Sequence, residues 1–95
     1  MFIVVNTIMA PASSLAVMSY SFRRLAGELR QFEGFLAFEL WEGDGTLLAV
    51  SKWLSREAFQ EYPKSELFRH HHGGMSSLQA IQNAQIAFYD GDVIA

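Results

Sequence analysis

The sequence contains no cysteine, only two prolines among its 95 residues, and no hydrophobic run long enough to cross a membrane. Without cysteine the chain cannot form a disulfide framework, an iron–sulfur centre or a thiolate zinc site. A bilayer requires about 20 consecutive apolar residues. The N-terminus lacks the charged flank and cleavage site of a signal peptide, so we expect a cytoplasmic protein without membrane contact.

The net charge of −3 argues against nucleic acid as a partner, because a phosphate backbone selects a positive protein face. The residues are 51% hydrophobic, 14% aromatic and 18% charged, which excludes a disordered chain. The length predicts one domain, residues 1–95. The apolar content exceeds what a small monomer needs and therefore points to a second buried surface.

Local patterns predict four strands and two main helices. Apolar residues at spacings of three and four, from Leu15 to Phe32, indicate a helix that begins at a serine cap and ends at Gly34. Ser55 is expected to cap a second helix, Arg56–Tyr62, with a further short helix over Glu66–His72. The predicted strands are Phe2–Ile8, Phe35–Glu42, Thr46–Trp53 and Ala84–Tyr89, with a hairpin turn at Gly43-Asp44-Gly45.

The element order predicts an α+β fold, the ferredoxin-like split βαβ arrangement with an antiparallel sheet. In this sequence the strands are apolar on both faces. Two helices can cover only one face, and the simplest cover for the other is a second copy of the sheet. We therefore expect a homodimer.

Asn6 interrupts an apolar strand, on the same face as Phe2, Val4 and Ile8. Asparagine is a poor strand former, and burying its amide unpaired costs about 1–3 kcal/mol. Either the backbone or a strand edge satisfies this amide, or its partner is a ligand.

Three consecutive histidines, His70 to His72, follow a helix-compatible segment. A neutral imidazole can serve as the single axial ligand of a heme, whereas a cationic one suits a solvated helix end. On a helix the three side chains point about 100° apart, so at most two face one site. Trp53, which closes the third strand, is either a core residue or part of a site.

One stretch of the sequence resembles a known family. Trp53 to Phe59, followed by Lys64 to His72, is similar to the W-x-S-x-x-A-F…K-S-x-x-F-x-x-x-H signature of the antibiotic-biosynthesis-monooxygenase superfamily. Within it, the chain most resembles the IsdG-type heme-degrading monooxygenases, which also carry an asparagine on the first strand. The Gly34-Phe35 step matches as well.

The resemblance implies a dimeric α+β barrel and an enzyme that opens the porphyrin ring and releases iron, using dioxygen and electrons from a reductase or small reductant. Heme would be both substrate and cofactor. His72 would ligate the heme iron, with His71 as the alternative ligand. Asn6 would donate a hydrogen bond on the distal side, and Trp53 would press on the macrocycle. Candidates to meet the heme propionates, by charge only, are Arg23, Arg24 and Lys52.

Two other functions fit the sequence. The first is a cofactor-free monooxygenase of quinol or polyketide-like aromatics, in which Asn6 and Trp53 position the substrate and the histidine is incidental. The second is a non-catalytic dimer that binds heme or another small hydrophobic molecule. His72 favours heme degradation over the cofactor-free reaction.

Overall fold

A computed structural model describes residues 1–66 and 84–95. Six elements lie in this part of the chain: β1 (Phe2–Met9), α1 (Ala12–Leu29), β2 (Phe35–Gly43), β3 (Thr46–Trp53), α2 (Arg56–Glu61) and β4 (Ala84–Asp90). The strands form one antiparallel sheet in the order β2-β3-β1-β4, with β1 between β3 and β4. The ferredoxin-like α+β fold predicted from the sequence is therefore confirmed.

The two helices begin in different ways. Helix α1 starts at Ala12, directly after Pro11, and Ser13–Ser14 lies inside its first turn without a side-chain capping bond. The predicted serine cap is therefore wrong, because Pro11 occupies the N-cap position, with extended backbone at φ −58° and ψ 152°, and its carbonyl accepts the first helical hydrogen bond from the Leu15 N–H at 3.0 Å. Helix α2 starts as predicted, since the Ser55 hydroxyl accepts a hydrogen bond from the Ala58 N–H at 3.1 Å.

Strand β2 contains an irregularity that the alternating pattern did not predict. Its register with β3 shifts between Phe35 and Ala37, which is the signature of a β-bulge. As a result Phe35 shares the helix side of the sheet with Phe38, and Leu36 is about half exposed. The simple period of two had placed Phe35 and Phe38 on opposite faces.

The core lies between the sheet and the two helices. A cluster of large aromatic and aliphatic side chains occupies one end, and a smaller aliphatic cluster occupies the other. Burying side chains of this kind stabilises the fold by about 1.5–3 kcal/mol each. Within residues 1–66 and 84–95, neither helix has the length and hydropathy needed to cross a membrane. The buried members of the two clusters are Phe2, Val4, Leu25, Leu29, Trp53 and Tyr62 at one end and Ile8, Leu15 and Leu47 at the other.

Gly34 joins the end of the α1 turn to β2 and has a positive φ of 86°. Its carbonyl accepts a hydrogen bond from the Leu54 N–H at 2.8 Å, which ties the start of β2 to the end of β3. A methyl group at this position would overlap the Ala58 side chain on α2. The glycine is therefore required both for its backbone conformation and for the close approach of α2.

Tyr62 follows α2 and is buried against Phe32 and Trp53, with ring centroids 5.7 and 5.6 Å away. Burial, with a smaller contribution from the Glu28 charge, raises the pKa of the Tyr62 phenol well above its ordinary value of about 10. Above about pH 10 the Tyr62 phenol ionises in the unfolded chain, whereas in the folded chain it stays protonated. Stability is therefore retained below about pH 10 and lost as the pH rises further.

We expect the free energy of unfolding to fall by up to about 1.4 kcal/mol per pH unit above pH 10 on account of this group. Urea denaturation between pH 9 and 11 measures the slope. Tyr62→Phe should flatten it, whereas Tyr20→Phe, at an exposed position of α1, serves as the control. Equal slopes for the wild type and Tyr62→Phe would contradict this assignment.

Candidate functional site

Asn6 lies in the middle of the central strand β1, on the side of the sheet that carries the helices. Its register partners are Ala49 on β3 and Ile86 on β4, and its neighbours on the same face are Val4 and Ile8. The amide oxygen Oδ1 is buried, and no described residue donates a hydrogen bond to it. Of the two alternatives left open by the sequence, neither the backbone nor a strand edge satisfies this oxygen among the described residues, and its contact with a ligand stays a prediction.

The surface beside Asn6 is apolar and partly open. Helix α1 packs mainly on β2 and β3, and α2 mainly on β3, so the described helices favour one half of the sheet. On the other half, Ile86 is 56% exposed and Phe88 is 51% exposed. We call the helix-side positions Val4, Asn6, Ile86 and Phe88 the β1/β4 face. A flat hydrophobic molecule resting on this face could place a polar atom at the amide of Asn6.

Trp53 is a core residue in the described part of the chain. It is 1% exposed, and its ring contacts Phe35 and Phe59 edge-on with centroids 5.4 Å apart. The indole N–H donates to the Ser51 hydroxyl at 3.0 Å, so its polar atom is also satisfied. These contacts favour the core-packing alternative, and contact between Trp53 and a substrate stays a prediction.

The predicted iron ligand His72 and its alternative His71 lie outside the described residues, as does most of the predicted helix Glu66–His72. Their roles stay predictions. Of the basic residues proposed for the heme propionates, Arg23 and Arg24 are exposed on α1.

Lys52 does not lie on the β1/β4 face, and its contact with a heme propionate stays a prediction. Its register partner on β1 is Ile3, which points to the opposite side of the sheet from Asn6. There the Lys52 ammonium pairs with Glu39 at 3.1 Å. Charge alone had suggested this residue, but the alternation along β3 decides its face.

Two features of the molecule were not predicted from the sequence. Ile86 and Phe88 border Asn6, and their alternation along the last strand could have indicated them. An open cavity of about 420 Å³ also lies at the C-terminal end of α1, lined by Gly27, Glu28, Gln31 and Phe32.

Solved structures share this fold at low sequence identity. A candidate antibiotic biosynthesis monooxygenase from Deinococcus radiodurans matches with a TM-score of 0.81 and 20% identity, covering 100% of this chain and 97% of that one. The heme degrader MhuD from Mycobacterium tuberculosis, with two hemes bound in its active site, matches at 0.74 and 23%, covering 100% and 99%. SnoaB, a cofactor-independent oxygenase from Streptomyces nogalater, matches at 0.76 and 16%, covering 98% and 95%.

These three structures show the fold alone, because their identities are low and their chemistries differ. No curated protein sequence matches the chain. The sequence profile of antibiotic biosynthesis monooxygenases, however, matches residues 1–74, which is more than half of the chain. This match includes Gly34, Trp53 and Ala58, which lie where α2 packs against the sheet. The chain belongs to the antibiotic biosynthesis monooxygenase family.

Proposed function

We propose that this protein is a heme-degrading monooxygenase, which opens the porphyrin ring and releases iron with dioxygen and an external reductant. The observation that carries the proposal is the side chain of Asn6, whose buried amide oxygen has no hydrogen-bond partner among the described residues, beside two half-exposed hydrophobic side chains. Such a face suits a large, flat, mostly apolar substrate. The sequence adds an imidazole at His72, and a solved heme degrader shares the fold.

In this proposal different residues of the chain bind the substrate, hold the iron and orient the reacting oxygen. Ile86 and Phe88 bind the macrocycle by apolar contact, while the amide N–H of Asn6 orients the oxygen that reacts. His72, with His71 as the alternative, would hold the heme iron through an imidazole nitrogen. Heme, when bound, supplies the iron that activates dioxygen. Trp53 would act on the macrocycle only if the aromatic cluster around it rearranged, because its ring is enclosed.

A second function is favoured by one specific observation. The atom of Asn6 left without a partner among the described residues is its oxygen, an acceptor. A phenolic or quinol hydroxyl would donate to this oxygen directly, as a cofactor-free monooxygenase of aromatic substrates requires. SnoaB, which has the same fold, is a cofactor-independent oxygenase.

We also propose that the protein works as a homodimer in which the sheets of two copies meet. The face of the sheet opposite the helices carries Trp41, which is 60% exposed, and Tyr89, which is 59% exposed. Ile3, Val5 and Val50 continue this apolar surface across the centre of the sheet. A monomer that leaves such a surface in water would be prone to association.

Titration of the purified protein with hemin separates the two functions. We expect a Soret shift on binding, followed by loss of the Soret band when ascorbate is added in air with catalase present. His72→Ala or His71→Ala, whichever removes the ligand, should weaken hemin binding, whereas His70→Ala serves as the matched control. Absence of hemin binding by the wild type would contradict heme degradation and favour the cofactor-free reaction. Binding without turnover would indicate a carrier.

Asn6→Ala tests the distal role separately from binding. We expect hemin affinity to change little and the rate of Soret loss to fall about tenfold, because one oriented hydrogen bond contributes about 1.4 kcal/mol. Hemin titration and single-turnover spectra give the two quantities. An unchanged rate in a well-folded Asn6→Ala protein would remove Asn6 from the mechanism.

A further inference from the structure

The outer face of the sheet, which points away from the helices, contains one charged pair in apolar surroundings. Among the strand residues that the structure describes, Glu39 on β2 and Lys52 on β3 are the charged members of this face. Their neighbours on the same face include Trp41, Leu48 and Val50. A lone carboxylate here would disfavour any partner that covered the face, because burying a charge without a counter-charge is costly.

Both oxygens of the Glu39 carboxylate already have partners in the same chain. The Trp41 indole N–H donates to Oε1 at 3.1 Å, and the Lys52 ammonium contacts Oε2 at 3.1 Å. The hydrogen bond from Trp41 and the hydrogen bond and charge of Lys52 lower the pKa of the Glu39 carboxyl. The three side chains therefore form a polar group with no net charge, which we call the Glu39 group.

An exposed ion pair in water contributes little to stability, and ordering three side chains opposes its formation. A pre-assembled neutral group instead reduces the cost of removing this face from water. It also leaves the face without net charge, so two identical copies can meet without repulsion between like charges. A strongly charged partner would find no complementary field here, which favours a second copy of this chain as the occupant.

We propose that the Glu39 group is the polar determinant of the sheet-to-sheet dimer, because it allows an otherwise apolar face to be buried with its one carboxylate satisfied inside each subunit. The proposal rests on the dimer described under the proposed function. In this proposal Trp41 contributes more than apolar contact, because its indole N–H donates a hydrogen bond to one carboxylate oxygen of Glu39. Shape and apolar contact would then provide affinity, while the Glu39 group lowers the free-energy cost of removing the two charges from water.

Sedimentation velocity over a dilution series tests the proposal. Glu39→Gln leaves the Lys52 charge without a counter-charge in the interface, and we expect the dimer dissociation constant to rise about tenfold or more. The double variant Glu39→Gln/Lys52→Met removes both charges and should return the constant to within about threefold of the wild type. Glu42→Gln, three residues along β2 and on the helix side, is the matched control.

The outcomes separate this inference from the dimer itself. A dimeric wild type whose dissociation constant is unchanged by Glu39→Gln overturns the role of the Glu39 group and leaves the dimer standing. A wild type that is monomeric at all concentrations overturns both. Circular dichroism of each variant identifies loss of folding, and the double variant keeps the test decisive if Glu39→Gln alone unfolds.

Discussion

Trp53→Ala is expected to lower the free energy of unfolding by about 3–5 kcal/mol. The indole is 1% exposed and contacts four other aromatic rings, so its removal leaves a cavity between the sheet and α2. The Ser51 hydroxyl also loses its donor. Urea denaturation followed by far-UV circular dichroism measures the change. The four ring partners are Phe32, Phe35, Phe59 and Tyr62.

Two further substitutions make the Trp53 result specific. Trp53→Phe keeps an aromatic ring but loses the indole hydrogen bond and some volume, and should cost about 1–2 kcal/mol. Leu54→Ala changes the next residue, which is exposed, and should cost less than about 0.5 kcal/mol. A stable Trp53→Ala protein that has lost hemin binding would instead place the indole in the substrate site.

Gly34→Ala is expected to destabilise the protein by about 2–4 kcal/mol. Two separate effects contribute to this loss. An L-residue at a φ of 86° is strained by about 1 kcal/mol or more, and overlap of the new methyl group with Ala58 adds a packing cost of about 1–3 kcal/mol. Thermal and urea denaturation should both show the loss. The contact at risk is the one that holds α2 against the start of β2.

The chain offers a matched control for the backbone effect. Gly45, in the hairpin between β2 and β3, has a φ of 66°, but an added methyl group there meets nothing within 4 Å. Gly45→Ala should therefore cost only about 1–2 kcal/mol. Adding Ala58→Gly to Gly34→Ala should recover part of the larger loss by removing the overlap. Equal losses at Gly34 and Gly45 would show that the packing against Ala58 contributes nothing.

Most of the fold could be predicted because its signals are local. Alternation and β-branched residues defined the strands, glycines defined the hairpin, and the hydroxyl of Ser55 defined the start of α2. The bulge after Phe35 could not be predicted, since it depends on how β2 pairs with β3 rather than on β2 alone. The start of α1 was misplaced because Pro11 competes with the serines that follow it.

The candidate site was predicted less completely, since a site depends on which faces come together. Asn6 could be singled out because a polar amide interrupts an apolar run, and its buried oxygen supports that interpretation. Trp53 could not be assigned, because a signature tryptophan and a core tryptophan look the same in a sequence. Lys52 could be suggested only by its charge, which carries no information on the face of the sheet that a side chain occupies, and the register places it on the opposite face from Asn6. His71 and His72 lie outside the described residues.

The position of β1 has a consequence for how the protein reaches its native state. This strand is the first in the chain, yet it pairs with β3 and β4, which both lie far from it in the sequence. Its ladders on either side close long loops, so we expect slow, non-local folding compared with a helical protein of equal length. The surroundings of Asn6 are completed only when the final strand docks. Catalytic competence and global folding should consequently appear with the same time constant in refolding experiments.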